Sequence, residues 1–283
     1  MRIASINGRA TLITESGHDL QGIDIEEWSN GKFPSNTREL LSHLNELRSW
    51  ANRQDLDSGA FPVSWDALES PIADPRQIFA IGMNYQAHAE EVSIAAPEVP
   101  AVFTKFATSL SGARESIQLP SDSVDWEIEL VAVIGGGGRN ITKDEAFNHI
   151  AGYAVGQDLS DRALQFASSS SPQFSLGKSY AGFAPVGPWM TTADEVVDPG
   201  QLKMHCSVGD EVLQNGSTAN LIFDIPTLVE HLSSVVELTP GDLIFTGTPN
   251  GVGFGRNPKR YLRSGEELIS TIEGLGEIKQ LFS

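Results

Sequence analysis

An apolar run that ends in four glycines constrains the fold of this chain most strongly. Residues 125–134 are rich in isoleucine and valine and stop at glycines 135–138, a pattern that predicts a β-strand. Side chains alternate between the faces of a strand, so Asp125, Glu127 and Glu129 share one face. The other face is apolar and predicts a core contact through Trp126, Ile128, Leu130, Ala132 and Ile134. Carboxylates crowded on one face repel each other unless a cation, a shared proton or solvent relieves them, which suggests a divalent metal site.

The composition is that of an ordinary globular protein with an acidic balance. The 283 residues are 40% hydrophobic and 20% charged, and a chain of this length can bury a full core. The formal net charge of -18 argues against nucleic acid or an anionic membrane as a partner. An anionic substrate would therefore need positive charge concentrated at its site.

The cysteine count and the hydropathy pattern bear on the compartment. Cys206 is the single cysteine, which excludes an intrachain disulfide and a cysteine-rich zinc site and suggests a reducing compartment. The first residues do not resemble a signal peptide, and no apolar run approaches the roughly 20 residues that span a bilayer. We therefore expect a cytoplasmic protein without membrane segments.

The chain divides into two predicted domains. Residues 1–72 predict a small α/β domain, with strands at 2–6 and 10–14 joined across an Asn-Gly turn. A helix with Thr37 as its N-cap follows, and a segment with two prolines links this domain to the next. Residues 73–283 predict a larger domain made of short β-rich runs that glycine and proline punctuate.

The fold class predicted from these patterns is α+β, predominantly β, with helices at the periphery. The predicted strands of the larger domain cover residues 78–82, 101–105, 127–134, 153–157, 202–208 and 243–246. One helix is predicted from the capping-box pair Thr142 and Glu145, and another over residues 225–236 with Pro226 in its first turn.

Three carboxylates beside predicted strands are candidate metal ligands. Glu127 and Glu129 lie on the strand described above, and Asp158 directly follows the predicted strand at 153–157. Oxygen ligands suit Mg²⁺, Mn²⁺ or Ca²⁺ rather than zinc. The alternative is a solvent-facing acidic strand, which accounts for most pairs of glutamates two residues apart, and spacing alone does not decide between the two.

A histidine and a glutamate one helical turn apart are candidates for acid–base catalysis. His88 and Glu91 share one face if they lie on a helix, so the carboxylate could orient the imidazole as a base. The alternative is a surface histidine on an acidic helix.

Three basic residues, Lys105, Arg162 and Lys178, could serve an anionic substrate, although each alone is more simply explained as a solvated surface charge. The tight loop at 246–251 offers hydroxyls and backbone amides to a carboxylate or phosphate, or serves simply as a turn. Glycines 135–138 do not fit the dinucleotide fingerprint, so we expect no nucleotide cofactor.

From residue 78 to about residue 278 the motifs together resemble the fumarylacetoacetate hydrolase superfamily, in order and in spacing. The matching runs are Ile81-Gly82-Met83-Asn84-Tyr85 with His88 and Glu91, Asp125-Trp126-Glu127-Ile128-Glu129-Leu130, Ala151-Gly152-Tyr153, Asp158-Leu159-Ser160-Asp161-Arg162 with Gln165, Gly177-Lys178-Ser179, Pro185-Val186-Gly187-Pro188-Trp189, Pro240-Gly241-Asp242, Thr246-Gly247-Thr248-Pro249, Gly251-Val252-Gly253 and Gly274-Leu275-Gly276. Three departures lie beside these motifs: Gln157 replaces a common Asn, Ala163 a common Asp, and Met83 the usual Leu or Arg. Residues 1–75 correspond to the variable N-terminal portion of the family.

The resemblance implies a C-terminal catalytic domain of the mixed β-roll type, a homodimer, and Mg²⁺ or Mn²⁺ as the cofactor. The metal ligands that it implies are Glu127, Glu129 and Asp158, which leaves Asp125 outside the ligand set. It implies that His88 and Glu91 activate water from a lid that orders over the substrate. The substrate contacts that it implies are Lys105, Arg162, Gln165, Lys178 and Thr248, with Lys178 also stabilising an enolate.

The implied reaction is hydrolytic C–C cleavage of a small anionic 2-oxo acid, a 2,4-dioxo acid or acylpyruvate. We expect fumarylpyruvate, an intermediate of aromatic catabolism, to be the substrate. The alternatives within the family are hydrolysis of 2,4-dioxo-3-deoxy sugar acids, decarboxylation of oxaloacetate, and isomerisation of a hydroxyheptadienedioate. A metal-loaded binding protein without turnover is the alternative from a different class.

Overall fold

The computed structural model describes residues 1–16, 19–56, 59–91 and 95–283. Within these residues the strands are β1 (Arg2–Ile6), β2 (Arg9–Ser16), β3 (Asp19–Asp24), β4 (Phe61–Pro62), β5 (Ile78–Gly82), β6 (Ala101–Thr104), β7 (Leu110–Ser111), β8 (Arg114–Ile117), β9 (Val124–Asp125), β10 (Ile128–Ile134), β11 (Ile150–Gln157), β12 (Ser160–Asp161), β13 (Ala184–Thr192), β14 (Lys203–Val208), β15 (Glu211–Ser217), β16 (Leu243–Phe245), β17 (Glu267–Ile272) and β18 (Gly276–Phe282). The α-helices are α1 (Ile25–Trp28), α2 (Thr37–Leu40), α3 (Leu44–Ala51), α4 (Gln86–Glu91), α5 (Arg162–Gln165), α6 (Phe174–Gly177) and α7 (Ile225–Ser233). Single turns of 3₁₀-helix cover Leu41–His43, Trp65–Ala67, Ala107–Ser109, Ala146–His149, Ala193–Glu195 and Thr218–Asn220. Strands dominate, which confirms the predicted α+β, predominantly β class.

One large sheet runs through the molecule in the order β4-β3-β2-β1-β13-β11-β10-β16-β5-β6, and β7 adds parallel to β13. β10, β11 and β13 pair antiparallel at its centre and are buried along their whole length. A second sheet has the order β15-β14-β17-β18-β8. The predicted strands after residue 73 all occur with small differences at their ends, whereas the sequence did not predict β7, β8, β12, β13, β15, β17 and β18.

The central strand β10 separates two hydrophobic cores. Ile128 and Leu130 pack in one core together with residues of the second sheet such as Leu268. Val131 packs in the other core, with Leu40 of the N-terminal helices. The predicted alternation of faces is therefore present, but both faces are buried, as expected for a strand that is covered on both sides.

The N-terminal residues extend the large sheet rather than forming a sheet of their own. β1 and β2 form the predicted hairpin, and Asn7 (φ 51) and Gly8 (φ 73) adopt the left-handed conformations that a tight hairpin turn requires. β1 also pairs antiparallel with β13, so the two predicted domains share one sheet. The boundary at residue 72 stays a prediction.

The predicted helices differ from the structure at their ends. Asn36 caps α2, because its side chain accepts a hydrogen bond from the backbone N–H of Glu39 (3.1 Å), and Thr37 is the first helical residue rather than the cap. The helix predicted from Thr142 and Glu145 is a turn followed by the 3₁₀-helix at Ala146–His149. α7 ends at Ser233, before the predicted end at residue 236. No helix of the described residues is long and apolar enough to cross a membrane.

Candidate metal and substrate site

The carboxylate-bearing stretch at residues 125–134 is interrupted rather than continuous. β9 ends at Asp125 and β10 begins at Ile128, so the single strand predicted over residues 125–134 is wrong at its start. Two buried glutamine side chains provide the hydrogen bonds that a continuous strand would have made through its backbone. Gln157 Oε1 accepts from the N–H of Glu127 (2.9 Å), and Gln214 Oε1 accepts from the N–H of Ile128 (3.0 Å). The backbone beside Glu127 is thus fixed by side chains of two neighbouring strands.

The three predicted metal ligands converge at this interruption. Glu129 on β10 pairs with Gly156 on β11, and Asp158 follows the end of β11, which brings both beside Glu127. Ligand atoms of the three carboxylates lie within 4.8 Å of one another, and all three residues are buried. The alternative of a solvent-facing acidic strand is therefore wrong.

Three buried cations neutralise this carboxylate cluster. Lys178 Nζ donates to Glu127 (2.7 Å) and Asp158 (2.6 Å), and Lys105 Nζ donates to the other oxygen of Asp158 (2.5 Å). Arg162 donates to Glu127 (2.6 Å) from its Nη2 atom. Because all three side chains are almost fully buried, the alternative of solvated surface charges is wrong for each of them.

Burial and neighbouring charges move the pKa values of the two glutamates in opposite directions. Burial alone raises the pKa of Glu127, but the charges of Lys178 and Arg162 outweigh it and hold that pKa well below its usual range. Burial also raises the pKa of Glu129, and the negative charges of Asp158 and Glu127 raise it further. Of the two glutamates, Glu129 is therefore the one whose charged form would gain more from a nearby cation.

Asp125 lies outside the cluster and positions the groups around it. Its carboxylate accepts hydrogen bonds from Arg162 Nε (2.9 Å) and from the backbone N–H groups of Gly253 (2.7 Å) and Phe254 (2.9 Å). Asp125 thus connects the guanidinium of Arg162, which also contacts Glu127, to the loop that follows β16. The expectation that Asp125 is not a metal ligand stays a prediction.

His88 and Glu91 lie on α4 as predicted, and His88 is buried rather than on the surface. His88 Nδ1 is 3.5 Å from Glu91 Oε2, and the Glu91 carboxylate also accepts from the backbone N–H of Gly251 (3.0 Å). Residues 92–94, which follow α4, lie outside the described residues, and the lid role stays a prediction.

The glycine loop after β16 uses its amides to hold these carboxylates. The N–H of Gly247 donates to Glu129 Oε2 (2.7 Å), as that of Gly251 does to Glu91. Gly247 has φ 101, and a Cβ there would lie 2.7 Å from the Cβ of Asn84, so only glycine fits. Two amides of the loop are therefore already bound to protein carboxylates, whereas Thr248 of the same loop lines the cavity described next.

A cavity of about 350 Å³ opens beside the cluster, in the size range that encloses small-molecule ligands. Its polar end consists of His88, Glu127, Glu129, Arg162, Gln165, Lys178 and Thr248. Its apolar part includes Ile81, Met83, Ala101, Val102 and four phenylalanines, Phe103, Phe166, Phe174 and Phe254, which we call the phenylalanine wall. Lys105 is not among the lining residues, and the structure places it behind Asp158 rather than facing the cavity.

Sequence reasoning missed the two glutamines and the phenylalanine wall. Gln157 was noticed only as a departure from the family pattern, and Gln214 lies on β15, which was not predicted. Phe254 directly follows the Gly251-Val252-Gly253 motif, and that adjacency is the one signal that could have found a member of the wall. The other three phenylalanines lie outside the quoted motifs.

The donor set of the cluster fits a hard divalent cation. Three carboxylate oxygens from Glu127, Glu129 and Asp158 can approach one point, and no sulfur or imidazole ligand is among them. The basic side chains around them contact both carboxylate oxygens of Glu127 and both of Asp158, and would orient these two ligands.

Comparison with known proteins agrees with this geometry. The family model of the fumarylacetoacetate (FAA) hydrolase C-terminal domain matches residues 77–282. A mitochondrial oxaloacetate tautomerase of Xenopus laevis, fahd2, is 38% identical over 286 residues, which cover 98% of this chain and 89% of the relative.

Two solved structures resemble the whole chain. A Mycobacterium smegmatis protein, described as a candidate HpcE protein, has a TM-score of 0.92 and 46% identity over 100% of this chain and 99% of its own. The maleylpyruvate hydrolase of Sphingobium sp. SYK-6, solved with manganese(II) and pyruvate, has a TM-score of 0.80 and 29% identity, with 100% of both chains covered. The present chain therefore belongs to the fumarylacetoacetate hydrolase family.

Proposed function

We propose that this protein is a metal-dependent hydrolase that cleaves the C3–C4 bond of 2,4-dioxo acids. The observation that carries the proposal is that Glu127 and Glu129 of the buried carboxylate cluster line the same cavity as His88, whose Nδ1 atom lies 3.5 Å from Glu91. The first arrangement suits a metal that binds a 2-oxo acid, and the second suits the activation of water.

The carboxylate cluster would hold Mg²⁺ or Mn²⁺ through Glu127, Glu129 and Asp158. When bound, the metal would polarise the oxygens of the 2-oxo acid as a Lewis acid. The relative from Sphingobium, which was solved with manganese(II) and pyruvate, supports both the ion and the class of ligand.

The polar end of the cavity would bind the pyruvoyl end of the substrate. Arg162 already donates to Asp125, Glu127 and Gln165, yet a guanidinium carries five N–H donors and retains capacity for a substrate carboxylate. Thr248, whose hydroxyl accepts from Gln214 Nε2 (2.7 Å), can donate its own proton to the same carboxylate. Lys105 would act differently from the sequence prediction, by positioning Asp158.

His88 would activate the attacking water. With Nδ1 turned to Glu91, the Nε2 atom is left to accept a proton from water, and the resulting hydroxide attacks the C4 carbonyl. Collapse of the tetrahedral adduct breaks the C3–C4 bond and releases the acyl group as a carboxylic acid. The electron pair passes to a pyruvate enolate, which Lys178 would stabilise before C3 takes up a proton.

Fumarylpyruvate is the substrate that we propose on family resemblance, and the maleylpyruvate hydrolase with the same fold supports an unsaturated acyl chain. A second candidate is interconversion of the keto and enol forms of oxaloacetate, because the Xenopus tautomerase aligns over nearly the whole chain. That reaction needs proton transfer but no attacking water.

The decisive experiment measures products on a panel of fumarylpyruvate, acetylpyruvate, a sugar-derived 2,4-dioxo acid and oxaloacetate, with Mn²⁺ or Mg²⁺ present. Hydrolysis predicts loss of the enol absorbance together with one pyruvate released per substrate. Tautomerisation of oxaloacetate releases no pyruvate, and decarboxylation releases pyruvate with carbon dioxide. Tight binding of oxalate or pyruvate without turnover of any acylpyruvate would instead indicate a binding protein.

The predicted homodimer and cytoplasmic location stay predictions.

A further inference from the structure

The phenylalanine wall is a continuous aromatic surface. The ring centroids of Phe103 and Phe174 are 5.9 Å apart, those of Phe174 and Phe166 are 6.1 Å apart, and those of Phe166 and Phe254 are 5.2 Å apart. The last pair is stacked, with an interplanar angle of 26°. These separations lie in the range at which aromatic rings attract one another.

The wall begins directly at the polar end of the cavity. Lys178 Nζ lies 5.1 Å from the ring centroid of Phe103, and the guanidinium carbon of Arg162 lies 5.8 Å from that of Phe254. Both cations also donate to Glu127 of the carboxylate cluster. A substrate whose 2-oxo acid is bound at the polar end would therefore extend its C4 substituent along the four rings.

Four separate chain segments build the wall, so it is not the by-product of one apolar element. Phe103 lies on β6, Phe166 follows α5, Phe174 begins α6, and Phe254 lies in the loop after β16. Among the described residues that line the cavity, every charged side chain belongs to the polar end. Within the cavity lining, the wall itself thus offers aromatic rings, and no charged or hydroxyl side chain, to the acyl end of a substrate. Lys259 does not line the cavity, but its Nζ atom lies 4.0 Å from the ring centroid of Phe254.

We propose that the phenylalanine wall selects a flat, unsaturated acyl group, one in which the C4 carbonyl is conjugated with an alkene or an aromatic ring. A flat π-system can stack against the rings or meet their edges, whereas a saturated chain gains only apolar contact. A polyhydroxylated acyl group would lose hydrogen bonds to water without replacing them. This inference rests on the proposed function, because it concerns the substrate of the same site.

The test compares two acylpyruvates with equal numbers of carbon atoms, (E)-but-2-enoylpyruvate and butanoylpyruvate, with benzoylpyruvate as a second flat substrate. Conjugation also changes the intrinsic reactivity of the carbonyl, so the decisive quantity is the change in the ratio of kcat/KM between wild type and variant. We expect Phe174→Leu and Phe166→Leu each to lower the ratio of kcat/KM for the unsaturated substrate to kcat/KM for the saturated one by about 3- to 10-fold. This range corresponds to the energy of one aromatic pair.

Leucine retains apolar contact at each position, so a change in the ratio reports on the ring. Phe147→Leu is the matched control, because Phe147 is 50% exposed on a 3₁₀-turn and does not line the cavity. This variant should keep the wild-type ratio. Thermal unfolding of each variant verifies that it is folded at the assay temperature.

Failure of this inference can be told apart from failure of the proposed function. Equal ratios in wild type and both wall variants, with acylpyruvates still cleaved, would overturn the inference and leave the hydrolase proposal standing. If wild type cleaves no acylpyruvate, the hydrolase proposal fails, and binding then tests the wall alone. In that case calorimetry should show that the Mn²⁺-loaded protein prefers benzoylpyruvate over butanoylpyruvate, and that Phe174→Leu weakens the preference; no preference would overturn the inference.

Discussion

The polar end of the cavity and the phenylalanine wall share one cavity but are built in opposite ways. Glu129 lies on β10, Glu127 directly precedes that strand, and Asp158 directly follows β11; both strands are central and buried along their whole length. The wall comes from β6 at the edge of the large sheet, from the single-turn region of α5 and α6, and from a loop. Phe166 is 40% exposed, whereas Lys105 and Lys178 are each 2% exposed.

This difference separates the residues that would carry out the reaction from those that would select the substrate. At the polar end, Glu127, Arg162 and Lys178 are each held by several hydrogen bonds or ion pairs, so a change there disturbs neighbouring side chains as well. The wall is held by apolar contacts at the sheet edge, where a substitution can alter shape without disturbing buried charge. We expect changes at the polar end to reduce all reactions and changes in the wall to redistribute substrates.

The largest expected effect comes from removing a carboxylate from the polar end. Glu127→Ala should lower kcat/KM for every acylpyruvate by about a thousandfold or more, because metal polarisation supplies several kcal/mol of transition-state stabilisation. It should also cost about 3–5 kcal/mol of unfolding free energy, since Lys178 and Arg162 lose a buried partner.

Assays of Glu127→Ala therefore need a temperature at which circular dichroism shows the variant to be folded. Glu46→Ala is the control, because Glu46 pairs with Lys32 at the surface and its side chain is 58% exposed. Exposed ion pairs contribute about 0–1 kcal/mol, so this variant should match wild type. A rate in Glu127→Ala equal to that of wild type would contradict the assignment of the polar end as the metal and substrate site.

His88→Gln should lower the hydrolysis rate by about a hundredfold or more, the usual contribution of a general base. Decarboxylation of oxaloacetate should fall less, because it needs no attacking water. Mn²⁺ affinity, measured by calorimetry, should stay within error of wild type, since His88 is not one of the three carboxylate ligands. His231→Gln on α7 is a control that does not line the cavity. Equal losses in the two reactions would show that His88 does not act on water.

Lys105→Met tests whether this lysine contacts substrate or positions Asp158. Its ammonium donates to Asp158 and to the backbone oxygen of Lys178, so we expect a change in kcat with little change in KM. The expected decrease in kcat is about tenfold, as for other groups that orient a metal ligand. The exposed Lys203→Met is the control. A raised KM with an unchanged kcat would restore the substrate contact that the sequence predicted.

Much of the polar end could be predicted from the sequence because its members lie in continuous motifs. The ten residues at 125–134 carry their own strand signal, and Asp158 follows another strand by one residue. Glu127 and Glu129 are two residues apart, which places them on one face even though the strand begins only at Ile128. Local periodicity was therefore enough to place Glu127 and Glu129 on one face, whereas Asp158 reaches them through the pairing of β10 with β11.

The remainder depends on contacts between distant segments. The break between β9 and β10 is stabilised by Gln157 and Gln214, which lie 30 and 86 residues from their backbone partners. The pairing of β1 with β13 is equally non-local. Propensity does not encode such pairings, because tertiary contacts override it.

The smallest expected effect concerns Gln157, which departs from the family pattern. Its side chain spans from the N–H of Glu127 to the hydroxyl of Ser270 (2.8 Å), and the shorter side chain of Gln157→Asn cannot bind both at once. A buried N–H left without a partner costs about 1–3 kcal/mol, and urea denaturation should show this loss. Activity should fall by only a few fold, since all three carboxylates remain. The exposed Gln118→Asn is the control. An unchanged denaturation midpoint in Gln157→Asn would mean that the polar end does not depend on the buried hydrogen bonds of Gln157. The polar end would then differ less from the phenylalanine wall in how it is stabilised.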